Sequence, residues 1–307
     1  MRKTLVVLLG PTAVGKTELS LSLAEWLGCP IINCDSRQLF AGLRIGTAAP
    51  MPEQQQRVKH YFVEMLQLED YYSAAQYETD VLRLTGELFH THDTLLLSGG
   101  SMMYIDAVCQ GIDDIPTISE EIRTRVKQRL ADEGLESLVS ELERLDPEYY
   151  AIVDRKNTRR VVHALEVCYM SGQSYTSFRV RKHKTRPFRI LKVGLDRPRE
   201  ELFQRINQRV DQMMADGMME EVRRFSAYRH CNALNTVGYK ELFHVLDGDW
   251  PLNMAVERIK KNTRVYAKKQ LTWFRRDESI KWFHPDERDA IQEYLNRTLH
   301  ESTLATS

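Results

Sequence analysis

Residues 10 to 17 read GPTAVGKT, directly after the apolar run LVVLL (5–9) and directly before the helix-forming stretch ELSLSLAEWLG (18–28). The octet fits the pattern G-x-x-x-x-G-K-[ST], with Gly10, Gly15, Lys16 and Thr17 in the defining places. Such a loop turns tightly on its glycines and aims successive backbone N–H groups and a helix N-terminus at phosphate oxygens, while lysine reaches them and the hydroxyl can ligate Mg²⁺. Strand before and helix after are the context the loop needs. They commit the first half of the chain to an α/β domain, and Gly10, Pro11, Thr12, Ala13, Val14, Gly15, Lys16 and Thr17 to holding a phosphate or diphosphate.

The segment that follows continues the pattern. PIINCD (30–35) reads as a second strand, with Gly28 at the C-cap of the intervening helix. After a helical stretch near 73–91 comes TLLLSGG (94–100), a third apolar strand. Apolar runs suit buried parallel strands, and open α/β sheets bind ligands at the strands' carboxyl ends. One edge therefore receives the glycine loop, Asp35-Ser36 and Gly99-Gly100-Ser101. A phosphoryl-transfer enzyme places an acidic residue at the end of another strand to hold its metal, but TLLLSGG ends in Ser98 and glycines, which weakens a kinase or ATPase reading. The carboxylate that reaches the edge is Asp35. It either caps a turn beside Ser36 or, facing a bound diphosphate, accepts a proton from an attacking nucleophile.

From about residue 114 the texture changes to charged helices. Ser119 is placed to N-cap a helix with Ile122, Val126 and Leu130 at spacing four, and Asp146-Pro147 ends it. TRRVVHALEVCYMSG (158–172) forms another helix, and a basic loop (178–189) leads to the strand RILKVGLD (189–196). Helices resume over 199–228, around 241–242 and over 251–276. The expected architecture is α/β: a P-loop parallel-sheet core with C-terminal helices (1–113 plus 190–307) and a helical insertion domain (114–189), with the tail STLATS (302–307) disordered.

Composition narrows the class. With 42% hydrophobic and 28% charged residues, and no run of about 18 apolar residues, the chain reads as soluble, with no membrane partner. MRKTLVVLLGPT is too short an apolar run for a signal peptide and lacks a cleavage site. Five cysteines without a CxxC pair indicate neither a disulfide framework nor a zinc site and suit a reducing cytoplasm. His90 and His92 lack a third ligand nearby and read as a solvated loop. No association motif appears, so a monomer is expected. Net charge is zero, with 43 basic and 43 acidic residues, yet the basic residues cluster. FRVRKHKTRPFR (178–189) carries Arg179, Arg181, Lys182, Lys184, Arg186 and Arg189; ERIKKNTRVYAKKQLTWFRR (257–276) interleaves Tyr266, Trp273 and Phe274. Such clusters suit phosphate contacts and base stacking, or else form a solvated helix face and a loop.

Taken in order, GPTAVGKT, DSRQLFAGLRIGTAAP (35–50), GGSMMYIDAV (99–108), TRRVVHALEV (158–167), LFQRINQRVDQMMADGMMEEV (202–222), TVGYKEL (236–242) and KKQLTWFRR (268–276) resemble the motifs of the tRNA dimethylallyltransferases, or tRNA isopentenyltransferases, across nearly the whole chain. The resemblance implies transfer of a dimethylallyl group from dimethylallyl diphosphate to N6 of adenine 37 in tRNAs reading codons that begin with U, with pyrophosphate leaving and Mg²⁺ as cofactor, ligated by Thr17. It further implies that Lys16 and Thr17 hold the leaving pyrophosphate, that Asp35 is the base for the N6 proton, that Ser101 hydrogen-bonds nearby, and that Arg209 or Arg205, four apart on one helix face, meets the diphosphate, with Arg209 favoured. By position, Asp35, Ser36, Arg37 and Gln38 would contact the target base, and Ser101 would also bind the tRNA. Arg123, Arg159, Arg160, Val161, Val162 and His163 would contact the anticodon stem-loop, and Gly238, Tyr239, Lys240, Lys269, Gln270 and Trp273 the tRNA side. The adenine would be flipped from its loop into a pocket. Read as an amphipathic helix, TRRVVHALEV would also turn Val161, Ala164 and Leu165 inward.

The chain departs from the usual pattern at Phe40 (tyrosine), Ala49 (lysine), Ser101 (threonine), Arg159 (glutamine), His163 (arginine) and Lys269 (arginine). None lies in the diphosphate loop or at Asp35. Two other readings share the loop: a relative that prenylates free AMP or ADP, and a P-loop small-molecule kinase. The basic aromatic C-terminal segment and the charged insertion favour a macromolecular acceptor.

Overall fold

The computed structural model describes residues 2–180 and 183–301. Arg181, Lys182 and the tail 302–307 lie outside the described residues. The chain divides into two compact units, residues 1–109 with 186–307, and residues 110–185.

The larger unit is built on a six-stranded parallel sheet in the order β3-β2-β4-β1-β5-β6. The strands are β1 (Thr4–Leu9), β2 (Ile31–Cys34), β3 (His60–Tyr61), β4 (Thr94–Gly99), β5 (Arg189–Leu195) and β6 (Lys281–Phe283). Every residue of β1 and β2 is buried, as the apolar runs require of strands covered on both faces. Register pairs Leu9 with both Gly99 and Gly194, and Cys34 with Gly99, so β1, β2, β4 and β5 end level. Gly99 permits this closeness, because a Cβ there would stand 2.0 Å from the Cys34 carbonyl oxygen. The glycine loop, Asp35 and Ser101 accordingly emerge at one edge.

Helix ends follow local chemistry. The helix Lys16–Leu27 stops at Gly28, in the left-handed conformation with φ 63°. The helical run expected over 199–228 is broken into Arg199–Ala215 and Met218–Arg224, with Gly217 at φ 98° between them. Past residue 276 the sequence reading saw nothing regular, yet β6 and the helix Arg288–Glu301 extend the unit, the latter burying Ile291 and Leu295. Three residues are too few for alternation to show, and the helix is polar except for that sparse stripe.

The smaller unit packs its helices around Val126, Leu138, Leu142, Tyr149, Val153, Val161, Ala164 and Leu165. Ser119 caps its first helix through the N–H of Ile122. Gly134, at φ 79° and ψ 173°, interrupts the helical run Glu120–Leu145. Buried Asp146 accepts the N–H of Tyr149 at 2.9 Å and of Thr176 at 2.7 Å, together with the Thr176 hydroxyl at 2.8 Å, and so ties two turns together.

The basic loop is divided. Lys184 pairs with Asp114 at 2.7 Å in the smaller unit. Arg186 belongs to the larger one, where its buried guanidinium donates to Glu78 Oε1 at 2.7 Å and to the carbonyls of Ala107 and Val108 at 2.7 and 2.8 Å. It serves packing rather than the phosphate contacts that its basic neighbourhood suggested.

Candidate active site

The glycine loop is held by its carbonyls. Lys16 Nζ donates to Gly10 O at 2.9 Å and Pro11 O at 2.7 Å, Arg205 Nε to Ala13 O at 3.0 Å, and Arg197 Nε to Val14 O at 2.8 Å. Arg197 is itself neutralised by Glu201 and, at 2.7 Å, by Asp286. Sequence reading passed over Arg197. Its signal is its place two residues past β5, at the same sheet edge as the loop.

Beside the loop opens a cleft of about 960 Å³ within the larger unit. Lys16, Asp35, Ser36, Arg37, Gln38, Ser101, Arg205 and Arg209 all line it, as do Gly238, Lys240 and Gln270. Burial first, then the nearby Arg209 charge, pushes the Lys16 ammonium down to about 7 against the opposing pull of Asp35. Burial likewise lowers Arg209, again opposed by Asp35. Two cations crowded in a half-buried cleft against one carboxylate make a place where a polyanion is stabilised. Arg209 therefore stands with Lys16 and Asp35, while the exposed Arg205 anchors the loop's outer side.

Asp35 follows β2 and does turn work with one oxygen. Its Oδ1 accepts the N–H of Arg37 at 2.8 Å and, more weakly, of Gln38 at 3.4 Å. Oδ2 has no hydrogen-bond partner among the described residues. The turn-capping reading of this carboxylate is thus met by one oxygen, which leaves the other uncommitted among the described residues. Buried Ser101 fixes the adjacent turn, its Oγ accepting Ser36 N–H at 2.8 Å and lying 3.2 Å from Ser36 Oγ. Gln38 Nε2 donates to the carbonyls of Thr47 and Ala48 at 3.0 and 2.9 Å. Thr17, exposed in the first turn of its helix, presents a hydroxyl that fits a Mg²⁺ ligand, and β4 brings no carboxylate beside it.

The IPP transferase family model matches residues 38–277. The chain belongs to the IPP transferase family. It is 61% identical over 300 residues to tRNA dimethylallyltransferase 1 of Phocaeicola vulgatus, an alignment that takes in 98% of this chain and 100% of the relative. Its fold is similar to the full-length tRNA isopentenylpyrophosphate transferase from Bacillus halodurans, with TM-score 0.73, 31% identity and 100% of each chain covered. A eukaryotic dimethylallyltransferase solved acting on tRNA shares the fold at TM-score 0.71 and 24% identity, over 89% of this chain and 70% of that one.

Not every residue that the family motifs point to offers its side chain to an acceptor. Tyr239 is fully buried, its hydroxyl donating to Glu221 Oε1 at 2.6 Å, and that carboxylate also accepts the N–H groups of Arg44, Ile45 and Gly46. Tyr239 thus supports the 44–46 turn instead of facing the cleft. Val161 is buried in the smaller unit's core. Gln270, 2% exposed, spends both ends of its amide inside the protein. Trp273 donates to Asp106 at 2.8 Å, while Lys240 and Lys269 are exposed. Phe40 and Ala49 are buried, which accounts for an apolar residue at each.

In the smaller unit, Arg159, Arg160 and His163 line one concavity with Tyr149, Tyr175 and Arg179. Arg179 lies 4.9 Å over the Tyr149 ring and 5.7 Å from Tyr175. Arg123 and Val162 are half-buried. No helix among the described residues is long and apolar enough to cross a membrane.

Proposed function

We propose that the chain transfers a dimethylallyl group from dimethylallyl diphosphate to N6 of adenine 37 in tRNAs that read codons beginning with U. The observation that carries this reading is the open oxygen of Asp35 in the same cleft as Lys16 and Arg209. The diphosphate lies along the loop amides, Lys16 and Arg209, which stabilise the charge that develops as the C1–O bond breaks. The adenine amine forms the N6–C1 bond and yields its proton to Asp35 Oδ2, and pyrophosphate departs. Thr17 would hold a Mg²⁺ ion, which adds charge neutralisation on the leaving group.

Arg159, Arg160 and His163 on the smaller unit, and Lys240 and Lys269 on the larger, supply phosphate contacts to the anticodon stem-loop. The reading places the protein where tRNA matures, in the cytoplasm, working as a monomer.

The test is incubation with labelled dimethylallyl diphosphate, Mg²⁺ and unmodified tRNA, AMP or ADP in parallel. Label in tRNA at adenine 37 is expected. Label in AMP or ADP but not in tRNA would overturn the proposal in favour of a cytokinin-type enzyme, and transfer of phosphate from ATP onto a small acceptor, with ADP released, would favour a kinase.

A further inference from the structure

The helix Leu252–Phe274 presents Ile259, Asn262, Thr263, Tyr266 and Gln270 to the cleft, the spacing of one helical face. Among them Tyr266 stands apart. Its side chain is not part of the core packing and is 38% exposed. Among the described residues its ring stacks on no other ring and carries no cation, and its hydroxyl makes no hydrogen bond. A tyrosine usually spends its ring on packing and its hydroxyl on a partner; this one does neither.

Among the described residues no other Phe, Tyr or Trp lines the cleft. Asp35 is close enough to help push the phenol up to about 12, after enclosure by the cleft walls and with Arg37 opposing. Gln270, one turn further along, is fixed to the glycine loop at Thr12 and to Gly100. That anchor sets the height of Tyr266 at about 6 Å of helix rise from the diphosphate end.

We propose that Tyr266 is the stacking platform for the acceptor purine, a positioning and specificity residue that holds the adenine's plane while Asp35 faces its amine. This rests on the reading given under Proposed function and deepens it. An unpaired base removed from its strand needs a π-face to replace the stacking it gave up, and one aromatic ring supplies this without reading sequence. Asp35 orients the exocyclic amine and Tyr266 the ring, so two elements, β2's end and the helix Leu252–Phe274, define the base between them.

The experiment is a cycle between residue 266 and base 37, with the full chain as wild type, Tyr266→Phe and Tyr266→Leu. Each protein is titrated with an unmodified anticodon stem-loop carrying either adenine or an abasic site at position 37, and separately with pyrophosphate. Wild type should prefer adenine over the abasic loop by about 5- to 150-fold, the range of one base–aromatic stack. Tyr266→Phe should keep that preference, and Tyr266→Leu should lose most of it while binding pyrophosphate as wild type does. An undiminished preference in Tyr266→Leu would overturn the proposal, and so would loss of pyrophosphate binding in that variant, which would make the ring a structural element. Failure of the parent reading looks different, since wild type would then not prenylate the adenine stem-loop at all.

Discussion

Gln270 ties Thr12 to Gly100: its Oε1 accepts the Thr12 N–H at 2.9 Å and its Nε2 donates to the Gly100 carbonyl at 2.8 Å. One buried amide from the helix Leu252–Phe274 thereby fixes the first turn of the glycine loop against the end of β4. The helix Leu252–Phe274 and the glycine loop are thereby coupled through one side chain.

Gln270→Leu should therefore affect both stability and chemistry. It leaves the buried Gly100 carbonyl unpartnered, at a cost of roughly 1–3 kcal/mol, removes the acceptor of the part-buried Thr12 N–H, and frees the loop. Denaturant unfolding should show the loss in midpoint, and kcat should fall more than affinity for tRNA. A residue that served only as an RNA contact would instead raise KM with kcat kept, so the two constants measured together decide between the roles.

Asp35→Asn separates the two oxygens. Asparagine keeps a carbonyl oxygen for the N–H of Arg37, and with it the turn, but cannot take a proton. Turnover should drop by roughly 10²- to 10⁴-fold, the range of a lost general base, while pyrophosphate binding measured by calorimetry stays within a few-fold. Turnover near wild type would remove Asp35 from proton transfer.

Lys16 gives the site a pH signature. Its folded value of about 7 lies below the ordinary 10.5, so between those limits the unfolded chain binds more protons than the folded one, and this group's contribution to stability rises with pH. Relative to Lys16→Met, wild type should gain denaturant resistance from pH 7 to 9. Bound pyrophosphate draws the proton back onto Lys16, so its saturation should flatten that gain. At pH 8, calorimetry in buffers of different ionisation enthalpy should show more proton uptake on pyrophosphate binding by wild type than by Lys16→Met.

Much of this site was legible because its elements are local. LVVLL-GPTAVGKT carries strand, loop and helix in one stretch, and PIINCD brings Asp35 to the same edge by strand polarity alone. What escaped is what depends on long-range pairing. Arg197 reaches Val14, 183 positions away in sequence, and Gln270 reaches Thr12 across 258; no periodicity announces such partners. The family resemblance puts Tyr239 on the tRNA side, yet the residue is fully buried and its hydroxyl donates to the Glu221 carboxylate of another helix.

Charge clustering misleads in the same way, and Arg186 and Lys269 make the contrast measurable. Both sit in basic runs, but Arg186 is sealed against Glu78 and two carbonyls, whereas Lys269 is exposed. Lys269→Met should lower the slope of log affinity for a stem-loop against log salt by about 0.7–0.9, the weight of one phosphate contact, with stability unchanged. Arg186→Met removes the guanidinium that pairs with buried Glu78 at 2.7 Å, for which a loss of about 3–5 kcal/mol is expected, and the salt slope should not move. A reduced slope in Arg186→Met, measured at a temperature where the variant is folded, would return that residue to the nucleic-acid surface and would mean that the pairing with Glu78 opens when RNA binds.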